Sequence, residues 1–211
     1  MKDRRQRKQG FSLIEMLVVI GIIAVLSGAL MMGFGRVTKA AQRAKATELV
    51  SQAAQALVIL RQKNDNMWPS VVRSGSFGGG DSAGMGMVKD VAREFAKKDL
   101  LSVAKDDSGN PIGVSRCGVV DPWAEAVLKR NKGANEGSAV PSGGTVRDHI
   151  IYFAVDDDGD GLTVANVGGQ QVRVRAEAIA WSAGADGKIA TYAQRGRSDD
   201  IYSWDKAKEK K

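Results

Sequence analysis

Asp156-Asp157-Asp158-Gly159-Asp160-Gly161 is the stretch of this chain best equipped to bind something. Asp156, Asp158 and Asp160 fall at positions 1, 3 and 5 of a calcium loop, and Gly161 stands at position 6, where the chain must turn sharply. Alternating carboxylates offer hard oxygen ligands that can converge on one point. The loop departs from the pattern at its last ligand: Val167 stands where a glutamate would close the shell. Four carboxylates in five residues repel one another, so a bound or transient cation is favoured over a solvated acidic turn. Catalysis has less to draw on. His149 is the single histidine and reads as packed inside a strand. Cys117 is the single cysteine, and no local pattern makes the two a nucleophile and its base. A lone cysteine also excludes an intrachain disulfide, and clusters of His and Cys for zinc are absent.

The other chemically unusual residue is Glu15. It opens an apolar run, Met16 to Gly35, that has no charged side chain and follows a basic leader, Lys2 to Lys8. Twenty residues at about 1.5 Å each give about 30 Å of helix, enough to cross a bilayer's hydrocarbon. An ionised carboxylate at the edge of such a run is costly and usually functional. No small-residue cleavage site follows the run, which is also longer than the apolar region of a secretory signal. The net charge is +7, but the first ten residues carry five bases and one acid, and the tail from Asp205 to Lys211 adds four lysines against two acids. The basic balance is therefore mainly a topology signal and not a nucleic-acid footprint.

A basic leader ending in Gly10, then Phe11, then Glu15 at the head of an apolar helix, resembles the leader of type IV prepilins and type II secretion pseudopilins. That resemblance implies cleavage after Gly10 by prepilin peptidase and methylation of the new terminus, Phe11. It makes Glu15 the fifth residue of the mature chain. A buried carboxylate needs a partner. The resemblance implies that Glu15 guides subunit addition by meeting the α-amino group of Phe11 on a neighbouring copy. A plain signal anchor, with Glu15 reaching to the interface, is the bland alternative.

Helical character continues beyond the apolar run. Val50, Ala53, Ala54, Leu57 and Val58 recur at helical spacing, and no proline interrupts residues 35 to 63. One helix from Phe11 to about Lys63 would be about 80 Å long, ending at Asn64-Asp65-Asn66 before Trp68-Pro69. Ser74 to Gly86 is a Gly/Ser-rich loop without the lysine ending of a phosphate cradle. Val88, Val91, Ala92 and Phe95 mark an amphipathic helix towards Val103, and Asp106 to Pro111 reads as a turn. Asn131 to Gly144 is a long polar loop. From His149 the pattern turns to strand: His149–Val155, Leu162–Val167 and Gln171–Ser182, the last alternating apolar with charged residues. The expected fold class is α+β, a long N-terminal helix packed by a small antiparallel sheet. The expected parts are a leader at 1–10, a membrane and assembly helix at 11–35, an amphipathic stalk at 36–66 and a periplasmic α/β region at 67–211.

Two further stretches extend the resemblance. Asp121-Pro122-Trp123 is similar to the motif that opens the sheet in major pseudopilins, although Ala124-Glu125-Ala126 follows in place of its Gly and Pro. Trp181-Ser182-Ala183-Gly184-Ala185-Asp186-Gly187, with Ser198-Asp199-Asp200-Ile201-Tyr202-Ser203-Trp204, resembles their C-terminal signature. The signature implies a calcium-binding loop in which Asp186 and Asp200 match best and Asp199 is a further candidate. Lys188 to Arg197 replaces the glycine pair between its halves. The resemblance as a whole implies a non-enzymatic subunit that self-assembles into a helical filament. It would be held in the inner membrane by one pass with its C-terminal region in the periplasm. Its partners would be the peptidase, an inner-membrane secretion platform and minor pseudopilins. A type IV pilus or competence subunit, a minor pseudopilin, and a membrane-anchored calcium-dependent binding or hydrolytic domain are the alternatives. The pilus readings commonly need a C-terminal disulfide, which one cysteine forbids.

Overall fold

The computed structural model describes residues 13–69, 72, 90–95, 98, 100–101, 118–131 and 133–204, with backbone alone for 29–34. Gly10, Phe11, the leader, the Ser74 to Gly86 loop, the Asp106 to Pro111 turn, Cys117 and the lysine tail lie outside the described residues. The chain divides into two units, one ending at Ala41 and one beginning at Gln42.

In the first unit the described residues are the helical start of α1, which runs Leu13–Gln62. Leu13, Ile14, Leu17, Ile20 and Leu26 are among its exposed apolar side chains. Among the described residues no helix is long and apolar enough to cross a membrane. The described side chains of the apolar run reach from Met16 to Gly28. That is about 20 Å of helix against about 30 Å of hydrocarbon, so the expected span over 11–35 is not shown.

The second unit holds the core. On α1, Ala46, Leu49, Val50, Ala53, Ala56, Leu57 and Leu60 are buried at the three-and-four spacing of one helix face. The helix stops at Gln62, and Asp65 and Asn66 take left-handed backbone conformations, with φ of 54° and 59°, that end it. Arg61 closes the stop, donating from Nε to the Asn66 carbonyl (3.0 Å) and lying 5.2 Å over the Trp68 ring. Residues 90–95 form the described part of α2, with Val91, Ala92 and Phe95 buried.

The Asp121-Pro122-Trp123 stretch does not lead into a strand. It starts a helix, α3 (Pro122–Arg130). Asp121 Oδ1 accepts from the N–H groups of Trp123 and Ala124 (3.1 Å each), and Pro122 occupies the first turn, where a missing N–H costs nothing. Glu125 is paired with both Lys45 (2.8 Å) and Lys129 (2.6 Å), which ties α3 to α1.

The expected strand from His149 is shorter and later. His149 ends a 3₁₀ turn, η1 (Val146–His149), and β1 is Tyr152–Val155. The Thr145 N–H and hydroxyl both donate to Asp148 Oδ2 (2.8 Å each), which winds the chain into that turn before it can extend. Then follow β2 (Thr163–Val167), β3 (Gln170–Val174), β4 (Ala178–Ser182) and β5 (Ile201–Tyr202). The single strand expected over Gln171–Ser182 is thus two, β3 and β4. All pairings are antiparallel: β1-β4-β5 make one sheet and β2-β3 a separate hairpin. The architecture is α+β.

Candidate cation site and the C-terminal loop

The acidic stretch forms the connection between β1 and β2, where its carboxylates are drawn together. Ligand oxygens of Asp156, Asp158 and Asp160 all lie within 4.8 Å of one another, the one such acidic group among the described residues. Asp156 is the anchor and is 3 % exposed. Gly159 N–H donates to its Oδ1 (2.8 Å) and Gly161 N–H to its Oδ2 (2.9 Å). Both glycines have positive φ, near 80°, which an L side chain adopts only with strain. Trp68 Nε1–H donates to the Asp156 carbonyl at 2.5 Å. Asp158 and Asp160 are exposed and accept from the N–H groups of Asp160 (3.2 Å) and Leu162 (2.7 Å).

Electrostatics separates the anchor from its neighbours. Burial opposes ionisation of Asp156, but the two glycine N–H groups, a bond to Asp158 and the Arg61 charge hold its carboxyl below the usual range. Asp158 goes the other way. The Asp160 N–H favours its anion, yet the Asp156 carboxyl beside it and the charges of Asp160 and Asp156 push it up. A divalent cation would relieve that repulsion, and the donor set is all hard oxygen, so the residues fit calcium. At the closing position, Val167 is fully buried in β2 and supplies no carboxylate. The loop borders an open groove of about 380 Å³ lined also by Leu162, Val164, Asn166 and Gln171.

The C-terminal residues are placed differently. Asp186, Asp199 and Asp200 form no group whose ligand atoms share one point. Asp199 Oδ2 accepts from the N–H groups of Ala185 (2.5 Å) and Asp186 (3.1 Å), closing the 184–187 turn. Asp186 Oδ1 accepts from Lys188 N–H (2.8 Å). Asp200 Oδ2 accepts from Ala190 N–H (3.0 Å) and the Tyr202 hydroxyl (2.9 Å), while its Oδ1 is buried with no partner. Burial raises the Asp200 carboxyl above its usual range. Rings hold the rest of the loop: Trp204 lies 6.1 Å from Trp181, 5.9 Å from Tyr192 and 5.0 Å from Tyr202, and its Nε1–H donates to the Tyr192 hydroxyl (2.8 Å). Tyr192 comes from the Lys188 to Arg197 segment, which therefore supplies part of the lock.

A third cluster was not foreseen from the sequence. His149, wholly buried, places Nδ1 2.9 Å from Asp121 Oδ2 and Nε2 2.8 Å from the Gly143 carbonyl. Ser182 Oγ donates to Asp121 Oδ2 at 3.3 Å. Although Ser, His and Asp meet here, the hydroxyl faces the carboxylate and not the imidazole, so no activated nucleophile is formed. Asp121 instead joins the start of α3, η1 and the end of β4. The signal for it was present in the sequence, since an Asp before a Pro is a helix start.

Residues 5–31 match the prokaryotic N-terminal methylation motif. The matched stretch contains Gly10, Phe11 and Glu15, and it marks a prepilin-type leader of the type IV pilin-like kind, processed by prepilin peptidase and used in filament assembly. No curated protein and no solved structure matches the chain. Of the three residues, Glu15 is described: it is exposed in the first turn of α1.

Proposed function

We propose that the chain is a structural subunit of the type II secretion pseudopilin kind, without catalytic activity. Prepilin peptidase cuts after Gly10, Phe11 becomes the methylated terminus, and copies assemble into a periplasmic filament through α1. The subunit waits in the inner membrane on an inner-membrane platform, with minor pseudopilins as further partners. Glu15 on an entering copy meets the α-amino group of Phe11 on its neighbour, two charges that are costly to bury singly and less so together. Calcium is the proposed cofactor, with Asp156, Asp158 and Asp160 as its carboxylates. The observation that supports the prepilin part of the reading is the match over residues 5–31, a stretch that contains Gly10, Phe11 and Glu15.

Co-expression with a prepilin peptidase tests it. The parent chain is expected to lose its first ten residues and Gly10→Val to keep them; a parent chain that stays full length sinks the reading. Glu15→Val is expected to be cleaved yet to fail to cross-link into multimers. The second reading, a calcium-dependent binding domain on a plain anchor, is favoured by the convergence of Asp156, Asp158 and Asp160. It predicts calcium binding by an uncleaved chain.

A further inference from the structure

His149 has a hydrogen-bonding problem with one solution. Its Nδ1 faces Asp121 Oδ2 (2.9 Å) and its Nε2 faces the Gly143 carbonyl (2.8 Å). A carbonyl only accepts, so Nε2 must carry a hydrogen. Between Nδ1 and the carboxyl a second hydrogen is required, whichever of the two atoms holds it. The pair therefore contains two protons. Burial raises the Asp121 carboxyl above its usual range, while the bonds its two oxygens accept from Trp123 N–H, Ala124 N–H and the Ser182 hydroxyl work in favour of its anion.

We propose that His149 and Asp121 form a proton-loaded clamp that joins α3, the 140–145 loop, β4 and the 184–187 turn, and that loss of one proton frees the loop from the turn. The contacts across this junction leave no slack. A Cβ on Gly143 would fall 2.7 Å from the Asp186 carbonyl oxygen, and one on Gly187 would fall 2.9 Å from His149 Nε2. If Nε2, on a wholly buried ring, gives up its hydrogen, its lone pair points at the partly buried Gly143 oxygen. The two must then separate.

The charged surroundings support retention of both protons. On η1 itself stand Arg147 and Asp148, the latter engaged by Thr145. From α3 come Asp121 and the Trp123 ring, 6.3 Å away, while Glu125 is occupied by two lysines. β4 offers Ser182, and on the turn the Asp186 carboxylate is held by Lys188 N–H. Burial works against the imidazolium, but the bond to Asp121, its charge, the Gly143 carbonyl and the Asp148 charge together hold the ring's titration above its ordinary value. A histidine raised in the folded state lends stability that is complete below its unfolded pKa and disappears as pH climbs through the folded one. The clamp therefore opens on the alkaline side.

His149 is the only histidine, so ¹⁵N-histidine labelling of the full chain in detergent micelles reports on this ring alone. At about pH 7.5, well above the ordinary value of about 6.5, both ring nitrogens are expected to carry hydrogen. Amide exchange at Gly143, Gly144 and Gly187 is expected to accelerate with pH in step with the ring's titration. Asp121→Asn keeps a helix cap but removes the charge, and should return the ring's titration to the ordinary value or below. His149→Gln should melt at a temperature that no longer falls as pH rises from the ordinary histidine value of about 6.5 into the alkaline range, a window in which the parent's does fall. A folded parent chain with a singly protonated ring at neutral pH, or one whose melting temperature stays flat over that window, overturns the clamp.

Discussion

The β1–β2 turn and the C-terminal loop are both rich in aspartate, yet they use it in opposite ways. In the first, three carboxylates converge and two of them stay exposed, and the N–H groups they accept leave their mutual repulsion standing. In the second, each of Asp186, Asp199 and Asp200 is committed to backbone N–H groups, and four aromatic side chains close over the loop. Acidic composition alone does not bring carboxylates together. The aspartates of both loops accept backbone N–H groups, but spacing of two within a tight turn also gathers their oxygens, whereas scattering over a long connection keeps them apart.

The glycines offer the sharpest way to break this contrast. Gly184→Ala would place a Cβ 2.5 Å from the Asp199 carbonyl at a φ of +70°, so overpacking and strain together are expected to cost about 4 kcal/mol by urea denaturation. Gly159→Ala has a similar φ of +77° but open space around it, and should cost only about 1 kcal/mol. Equal costs would mean that the two loops are equally tight. Next in size, Trp204→Ala removes three ring contacts and the bond to Tyr192, an expected loss of about 3 kcal/mol that added calcium does not restore.

Calcium itself sharpens the comparison from the other side. At a hundredfold excess over its dissociation constant it should stabilise the parent by about 2.7 kcal/mol in a melting experiment. With no closing glutamate, that constant is expected near the weak end, about 10⁻⁴ to 10⁻³ M. Asp158→Asn with Asp160→Asn should abolish the shift, whereas Asp199→Asn should keep it. The smallest effect is acid sensitivity. Asp156 titrates below its ordinary range, so it lends stability at neutral pH that is lost as pH falls through its folded value; Asp200, raised by burial, contributes with the opposite sign. Amide exchange on acidification should therefore rise first at Gly159 and Gly161, while Ala190 stays protected.

The parts readable from the sequence are those set by local periodicity. Leu57 and its neighbours betrayed the buried face of α1, and the one-three-five spacing of Asp156, Asp158 and Asp160 survived folding. His149 was misread because an Ile- and Val-rich run follows it, while the Thr145–Asp148 bonds that wind η1 depend on two polar residues upstream. The break between β3 and β4 has no glycine or proline to announce it. Val172 pairs with Ala165 in the local hairpin and Ala178 with Val155, so the chain leaves the hairpin there to join a strand farther back in sequence. Asp186, Asp199 and Asp200 each accept from different backbone N–H groups, an arrangement set by how residues 184–200 fold and not by their spacing in the sequence.

The bond from the Trp68 indole to the Asp156 carbonyl gives the acidic turn a built-in optical gauge. An ion that settles among those carboxylates would sit on the side chain of the residue whose backbone oxygen the indole holds. Its arrival should alter the emission of Trp68, and Trp68→Phe should darken that signal while leaving the ion in place.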